Sequence, residues 1–241
     1  MHRFRTRLGI RASACACLLI VACATVEPVS DGNALATLYE AAIRDAAVYD
    51  RTHRAPLHAI TKDQSTATVV TWVRAQDVER EFALADVTLS HDTWVTLDGD
   101  VRERCRRFDR TDGSRLNTRL QQLLGLAPMP ESRLFVTFRA PVAAMFRPCP
   151  DPDVTRTTCD RGAFPTGVSV EHEAWIASQM VTSYRAGEAA EPLRGRPFTG
   201  LGYTYDWAPR SNHVGPAEYV VRAGTPVSVV AKEASSAYCA W

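Results

Sequence analysis

The sequence predicts an α+β fold: a mostly antiparallel sheet with an N-terminal helix and two or three packed helices, stabilised by disulfides. Some segments alternate β-branched and aromatic residues at a period of two, and others repeat apolar residues at helical spacing. Four cysteines follow residue 100. The chain over 33–241 is long enough to bury a sizeable core, and we predict that it forms one globular domain.

The leader, residues 1–22, has the features of an export signal. It carries four arginines and no acidic residue. An apolar run of about 11 residues follows, too short for a bilayer that needs roughly 20. The run ends in Ile20-Val21-Ala22-Cys23, which resembles a bacterial lipobox. This resemblance implies cleavage before Cys23, acylation of its thiol and amine with fatty acids such as palmitate, and a lipid-anchored mature chain.

Residues 23–32 are expected to form a tether between the lipid and the domain. Ala24 stands where an Asp retains lipoproteins of enteric-type bacteria in the inner membrane. The resemblance therefore favours the cell outer membrane, with the domain on the periplasmic side. Ala22-Cys23-Ala24 also fits the small-x-small rule of ordinary signal peptidase. Cleavage after Ala24 would instead release a soluble periplasmic or secreted protein.

The charge balance gives no support for nucleic acid as a partner. The leader holds four of the 28 basic residues and none of the 27 acidic ones, which leaves the mature chain at −3 with neutral histidines. A nucleic-acid-binding protein usually carries a strongly basic face. The sequence shows no repeat, no low-complexity segment and no later apolar run of membrane-spanning length.

The cysteine count predicts two disulfides. Two cysteines leave with the leader and Cys23 is the lipid site, so an even number remains in an oxidising compartment. Three pairings are open on sequence alone. We favour Cys149 with Cys159, across a short turn-forming loop, and therefore Cys105 with Cys239. Four thiolates could bind zinc instead, but the chain has no C-x-x-C pair, and we predict no metal site and no cofactor.

The first half of the domain is predicted to contain a helix and then strands. Apolar residues at helical spacing predict a helix from Asn33 to about Val48, followed by irregular chain over 49–64. The alternation in ATVVTWV, residues 67–73, is typical of a half-buried strand. A strand or extended piece is predicted over 81–89, and a further strand over 93–97.

Helical spacing returns after residue 97. It predicts one helix over 98–108, capped by Asp98 or Asp100, and a second from Ser114 to about Leu124, before Gly125. The later elements follow from the same two periods. They are strands over 133–140, around 203–205, and over 218–222 and 226–231, with an amphipathic helix over 171–187 after the proline-rich loop 147–167.

Two sets of residues could carry chemistry in the second half of the chain. His172 begins the helix at 171–187 and could act as a general base with Glu171, Glu173, Asp206 or His213. His172-Glu173 begins like the zinc-binding pattern H-E-x-x-H, but residue 176 is Ile, so the metal pair is missing. The second set is three aromatic residues beside Asp206, which could bind a sugar or belong to the core: Tyr203, Tyr205 and Trp207.

The segment AEYVVRAGTPVSVV, residues 217–230, is loosely similar to the strand, turn and strand that close ADP-ribosyltransferase and related NAD-cleaving domains. This resemblance implies that Glu218 is the catalytic acid. The early arginine of that family would correspond to Arg51 or Arg54. The chain departs from the family pattern in lacking a Ser-Thr-Ser-like strand.

No nucleophile, base and orienting group can be named together from the sequence. We therefore predict a non-catalytic binding or scaffolding role for an outer-membrane lipoprotein, attached to the membrane through Cys23. An envelope protein or a polysaccharide would be its partner. The alternatives are an envelope hydrolase or transferase that uses His172, and an NAD-cleaving domain that uses Glu218.

Overall fold

The structure is a computed structural model that describes residues 31–108, 113–185, 193–209 and 211–240. The leader, Cys23 and most of the tether lie outside these ranges. The described helices are α1 (Asp31–Ala47), α2 (Ala75–Glu81), α3 (Asp98–Cys105), α4 (Gly113–Leu123), α5 (Val170–Ser183) and α6 (Ser235–Tyr238). The strands are β1 (Thr66–Arg74), β2 (Asp86–Thr88), β3 (Thr93–Leu97), β4 (Arg133–Pro141), β5 (Met145–Phe146), β6 (Tyr203–Tyr205), β7 (Val214–Val221) and β8 (Pro226–Ala234).

All eight strands join one sheet, in the order β2-β8-β4-β1-β3-β7-β5, with β6 paired to β7 beside this path. Every pairing is antiparallel. The predicted α+β class with a mostly antiparallel sheet is confirmed. In the described part of the chain no helix is long and apolar enough to cross a membrane.

The sheet divides between β1 and β3. These two strands pair only through Val69 with Leu97 and Val70 with Thr96, although both strands continue beyond these pairs. On its other side β1 pairs with β4 along its whole length, and β3 pairs with β7. The division therefore leaves a gap in the centre of the sheet rather than at its edge.

The two faces of the sheet are covered by different parts of the chain. Side chains such as Val69 and Tyr219 enter the larger core, which also includes residues from segments 55–60 and 145–159. Trp72, on the opposite face, belongs to a second core that includes residues of α3, α4 and α6. Successive side chains of a strand point to opposite faces, and the sheet is therefore buried on both.

Helix α1 packs on a third cluster, at the end of β6. The rings of Tyr39 and Trp207 meet edge to face, with centroids 5.6 Å apart. The Tyr39 hydroxyl donates to the carbonyl of Gly195 at 3.0 Å, and the Tyr205 hydroxyl donates to Asp45 at 2.6 Å. The N-terminal helix therefore holds both β6 and the segment that precedes it.

Both predicted disulfide pairings are confirmed. Cys105, at the end of α3, is bonded to Cys239 just after α6, with a Cα separation of 5.3 Å. Cys149 and Cys159 close the short loop between β5 and α5, with a Cα separation of 6.5 Å. The first bond joins the middle of the chain to the residues after the last strand, and the second stabilises a local loop.

The strand or extended piece predicted over 81–89 forms a strand only over residues 86–88. The prediction covered 81–89, whereas the chain forms α2 up to residue 81 and only the short β2 beyond it. Asp77 accepts from Arg74 at 2.7 Å and from Arg80 at 2.9 Å, both at helical spacing. These local ion pairs favour the helical turn. The prediction used only the spacing of apolar residues and did not include these ion pairs.

The amphipathic helix of the second half is shorter than predicted. Helix α5 ends at Ser183 because the chain turns there, and the Ser183 carbonyl accepts a hydrogen bond from the backbone of Arg196 at 2.9 Å. Residues 186 and 187 of the predicted helix lie outside the described residues. The two-residue strand β5 and the four-residue helix α6 are too short to produce a periodic signal, and neither was predicted.

Candidate functional site

A cavity opens at the gap between β1 and β3, on the face that α3, α4 and α6 cover. It encloses about 740 Å³, part of it open to solvent. Its walls come from five strands, β1, β3, β4, β6 and β7, from the turn after α4, and from the segment before β6. The lining residues are Val70, Thr71, Trp72, Trp94, Val95, Thr96, Leu124, Gly125, Leu126, Phe135, Arg196, Pro197, Phe198, Thr204, Tyr205 and Glu218.

Strand register places the Glu218 side chain in this cavity. Val70 pairs with Thr96, and Thr96 pairs with Glu218 on the next strand. Directly paired residues of neighbouring strands share a face, so these three side chains stand in one row. Ala217 and Tyr219, on either side of Glu218, belong to the core on the opposite face. A polar residue at position 218 therefore points away from the main core and into the cavity.

The Glu218 carboxyl is buried and has no protein partner. Its residue exposes only 8 % of its surface, yet among the residues that the structure describes no group donates a hydrogen bond to the carboxyl. Burial raises the pKa of Glu218 from 4.5 to about 7, against the opposing charges of Arg196 and Arg147. Because Glu218 lines the cavity, its carboxyl is open to a hydrogen-bond donor that enters the cavity.

Arg196 brings a positive charge to the same cavity. Its Nε donates to the Ser183 hydroxyl at 3.1 Å, its Nη2 donates to the side-chain oxygen of Gln179, and its guanidinium lies 4.1 Å from the centre of the Trp94 ring. Burial lowers the pKa of Arg196. Arg196 and Glu218 influence each other electrostatically but do not approach within the 4.0 Å of an ion pair. Two separated charges of opposite sign therefore face one cavity.

A glycine allows Arg196 to reach this position. Gly195 has a φ of +97°, and a Cβ atom there would lie 2.5 Å from the Ser183 carbonyl oxygen. Only glycine tolerates both the left-handed backbone and this close approach. Residues 195 and 196 can thus pack against the end of α5. There Gln179 and Ser183 accept the hydrogen bonds of the Arg196 side chain.

Aromatic rings form much of the remaining wall. The Trp94 ring lies between Arg196 and the tilted Trp175 ring, whose centroid is 5.6 Å away. The Phe198 ring meets Trp94 edge to face at 6.0 Å. On the other strand of the gap, Trp72 stacks against a neighbouring phenylalanine, with centroids 5.7 Å apart. An enclosed apolar wall with few polar groups is typical of sites that bind small organic molecules.

The two candidate histidines lie outside this cavity. The buried His172 ring donates from Nε2 to the Cys149 carbonyl at 2.8 Å, and burial lowers its pKa. His213 is exposed, donates from Nδ1 to the backbone carbonyl of Asp206 at 2.9 Å, and stacks on Tyr205. In the described residues neither ring contacts a carboxylate, including those of Glu171 and Glu173. The pairing that the hydrolase hypothesis requires is therefore not formed.

Asp206 and the neighbouring aromatic residues are part of the folded core. Arg119 donates to both oxygens of Asp206, at 3.0 and 2.6 Å, and the backbone of Ala208 donates to one of them at 3.0 Å. The Tyr203 hydroxyl and the Trp207 indole donate to backbone carbonyls at 2.7 and 3.0 Å. Since these side chains are buried and their polar atoms have protein partners, the cluster belongs to the folded core.

The arginine that shares a cavity with Glu218 is not one that the sequence indicated. Arg54 pairs with Asp160 at 3.1 Å, and neither Arg51 nor Arg54 lines this cavity. Arg196 was missed because its role depends on the end of α5, a tertiary contact. The local sequence Arg-Gly-Arg-Pro could have drawn attention to it, since glycine before a functional side chain often marks an unusual backbone.

The described residues hold no cluster of three or more His, Cys, Asp or Glu side chains that could bind a metal ion. Comparison of the chain with protein-family models, with curated proteins and with solved structures finds no match in any of the three. The chemistry of the cavity itself must therefore indicate the function.

Proposed function

We propose that this chain is an exported, lipid-anchored binding protein of the outer membrane that faces the periplasm and takes up a small organic ligand in the Glu218 cavity. One observation supports the binding role above all. The Glu218 carboxyl is buried at an aromatic wall and has no hydrogen-bond donor among the described residues. A ligand that donates to Glu218 would supply hydrogen bonds that the described residues of the chain do not provide.

The binding role does not require catalysis. The cavity holds a carboxyl group and a guanidinium group but no histidine, cysteine or serine side chain among its lining residues. A cavity with mostly apolar walls and two polar side chains of opposite charge suits a small organic ligand. We therefore favour recognition of a small molecule over a scaffolding role on an open surface.

A thermal-shift screen tests the binding role. The full chain, purified in detergent with its disulfides intact, is heated with amines, amino acids, nucleotides and muropeptides. A ligand at 100 times its Kd should stabilise the fold by about 2.7 kcal/mol, a shift of several degrees. Thr96→Trp, which fills the cavity, should abolish the shift while retaining the circular dichroism of the folded chain. A shift that survives Thr96→Trp would place the ligand elsewhere and contradict the proposal.

Fractionation tests the lipid anchor. The proposal expects the native chain in the outer-membrane fraction, with incorporation of labelled palmitate. Cys23→Ser should release the chain or block its maturation, whereas Cys17→Ser, a cysteine inside the leader, should change neither. A Cys23→Ser chain that still carries label and stays in the membrane would rule out the anchor.

NAD cleavage is the second candidate, and one observation favours it. That hypothesis requires Glu218 and an arginine facing one slot, and Arg196 lines the same cavity as Glu218. Incubation with NAD should then release nicotinamide, Glu218→Gln should abolish release, and Glu79→Gln, an exposed glutamate, should leave it unchanged. No release above a no-protein blank at millimolar NAD would exclude this activity and leave the binding role.

A further inference from the structure

We infer that the ligand of this cavity is a free α-amino acid with an aromatic or large apolar side chain, bound through its ammonium group at Glu218 and its carboxylate at Arg196. The inference rests on the proposed function, because it names the ligand class of the same cavity. It follows from three features of the cavity: its two charges, its backbone edges and its walls.

The two charges of the cavity have opposite signs and do not neutralise each other by direct contact. Glu218 and Arg196 both line the cavity but form no ion pair within 4.0 Å. A singly charged ligand would satisfy one of these groups and leave the other buried with a charge of its own sign nearby. A zwitterion satisfies both, because its ammonium group donates to the carboxylate and its carboxylate accepts from the guanidinium.

Arg196 is oriented in advance for a carboxylate. Gln179 and Ser183 hold Nη2 and Nε, and the guanidinium plane lies over Trp94. Within the described residues Nη1 has no hydrogen-bond acceptor. A guanidinium that is already fixed loses little conformational entropy when it binds, which favours recognition of a small anion.

The gap between β1 and β3 offers backbone groups as well. Thr71 comes directly after the paired residue Val70, Val95 comes directly before the paired residue Thr96, and both line the cavity. Their side chains alternate to the opposite face, so they border the cavity with their backbone. Alternate residues of a strand direct N–H and C=O groups to opposite sides, and each strand therefore contributes donors and acceptors to the gap. The ammonium and carboxylate groups of an amino acid need several such partners.

The walls select the side chain of the amino acid. Trp72, Phe135, Phe198 and Leu126 are among the lining residues, and most of the cavity surface is apolar or aromatic. Burial of an aromatic side chain there would remove a large apolar area from water. A polar side chain would find no further charged group in the lining.

Calorimetry with matched compounds tests this inference at pH 7.5. The full chain in detergent is titrated with phenylalanine, with phenethylamine, which lacks the carboxylate, and with 3-phenylpropionate, which lacks the ammonium group. We expect phenylalanine to bind at least tenfold more tightly than either of the others. Equal affinity for a singly charged compound would overturn the inference.

Variants assign each charge to its group. Glu218→Gln should weaken phenylalanine and phenethylamine at least tenfold and leave 3-phenylpropionate within about twofold. Gln179→Leu removes a hydrogen bond that orients Arg196 without altering the cavity lining. It should weaken phenylalanine and 3-phenylpropionate severalfold and spare phenethylamine. Glu79→Gln is the matched surface control. The same loss for all three compounds in either variant would contradict the assignment.

The inference and the proposed function can fail separately. If amino acids do not bind but another compound binds and is displaced by Thr96→Trp, the cavity is a binding site and the amino-acid assignment is wrong. If phenylalanine binds equally well to Thr96→Trp, the amino acid binds outside the cavity and the inference fails. If no compound in the screen binds to the cavity, both proposals fail.

Discussion

Asp206 and Glu218 are two buried carboxylates on neighbouring parts of the sheet, and they differ in what surrounds them. Asp206 follows β6 and exposes 4 % of its surface, while Glu218 lies in β7, the partner of β6, and exposes 8 %. Arg119 and a backbone N–H bind the first carboxylate on both oxygens. The second has no donor in the described chain. Burial alone therefore does not tell a structural acid from a functional one.

The hydrogen-bond partners of a buried carboxylate separate an acid that supports the fold from an acid that can bind a ligand. A paired buried carboxylate contributes to the fold, and its hydrogen bonds to the protein leave little acceptor capacity for a ligand. An unpaired one destabilises the fold and keeps its hydrogen-bonding capacity, which is the condition that binding and catalytic sites share. The comparison makes quantitative predictions, because mutation should affect the two residues in opposite directions.

The largest effect is expected at Asp206. Asp206→Asn removes the negative charge opposite Arg119 and should destabilise the fold by about 4 kcal/mol, since it leaves a partly buried guanidinium unpaired. Urea denaturation at pH 7 measures this loss. Glu103→Gln, which breaks the exposed pair with Arg107, should cost less than about 1 kcal/mol. Equal small losses in the two variants would remove the distinction between a structural pair and a surface pair.

Glu218→Gln should act in the opposite direction. Because the pKa of Glu218 is raised from 4.5 to about 7, the folded state holds a proton that the unfolded state releases between these values. The contribution of this proton to the free energy of unfolding is fully present below pH 4.5 and is lost as the pH rises to 7. At pH 8 the variant should therefore be more stable than the native chain by up to about 3 kcal/mol, and near pH 4.5 it should gain little.

Denaturation of the native and Glu218→Gln chains at pH 4.5, 6, 7 and 8 measures this prediction. The quantity of interest is the difference between the two profiles, because other groups titrate in the same range. A constant difference across these values would mean that Glu218 titrates as an ordinary surface carboxyl, and the comparison with Asp206 would lose its basis.

The smallest effect is expected at His172, a buried group with one hydrogen bond. Burial lowers the pKa of His172, so the folded state resists protonation. The stability that the neutral ring confers is present above the ordinary histidine pKa of about 6.5 and lost as the pH falls through the lower value of the folded state. His172→Gln should lessen this loss of stability between pH 6.5 and 5. The contribution of His172 is lost as the pH falls, whereas the contribution of Glu218 is lost as the pH rises. Identical acid profiles for both chains would contradict the prediction.

Strong local signals predicted much of the fold. The strand at 93–97 was predicted with its observed bounds, and the strand at 133–140 within one residue, because alternation of β-branched and aromatic residues directly reflects a two-faced environment. Both disulfide pairings followed from loop length and chain order. Helix α2 was not predicted. The ion pairs of Asp77 with Arg74 and Arg80 favour it, and a pattern of apolar residues does not contain them.

The candidate site was only half predictable. The sequence indicated Glu218, because residues 217–230 resemble a segment of NAD-cleaving domains. The arginine of the same site was expected at Arg51 or Arg54. Arg196 reaches the cavity because the chain turns against the end of α5, a contact between distant elements. The gap between β1 and β3 cannot be predicted from the sequence of either strand, because each segment alone has the pattern of an ordinary strand. It arises because only two residue pairs join the two strands. Such features arise from pairing and cannot be seen in one segment.

The bond between Cys105 and Cys239 also constrains the order of assembly. It closes a covalent ring across 134 positions that contains β4 and β7, whereas β1 and β3 precede it in the chain and lie between those two strands in the sheet. If the ring closed first, the two central strands would have to enter between parts of a closed loop. Cys239 follows every strand, so in a chain that emerges N-terminus first this bond cannot form until all eight have appeared. Late oxidation therefore gives the centre of the sheet time to assemble before the chain is locked around it.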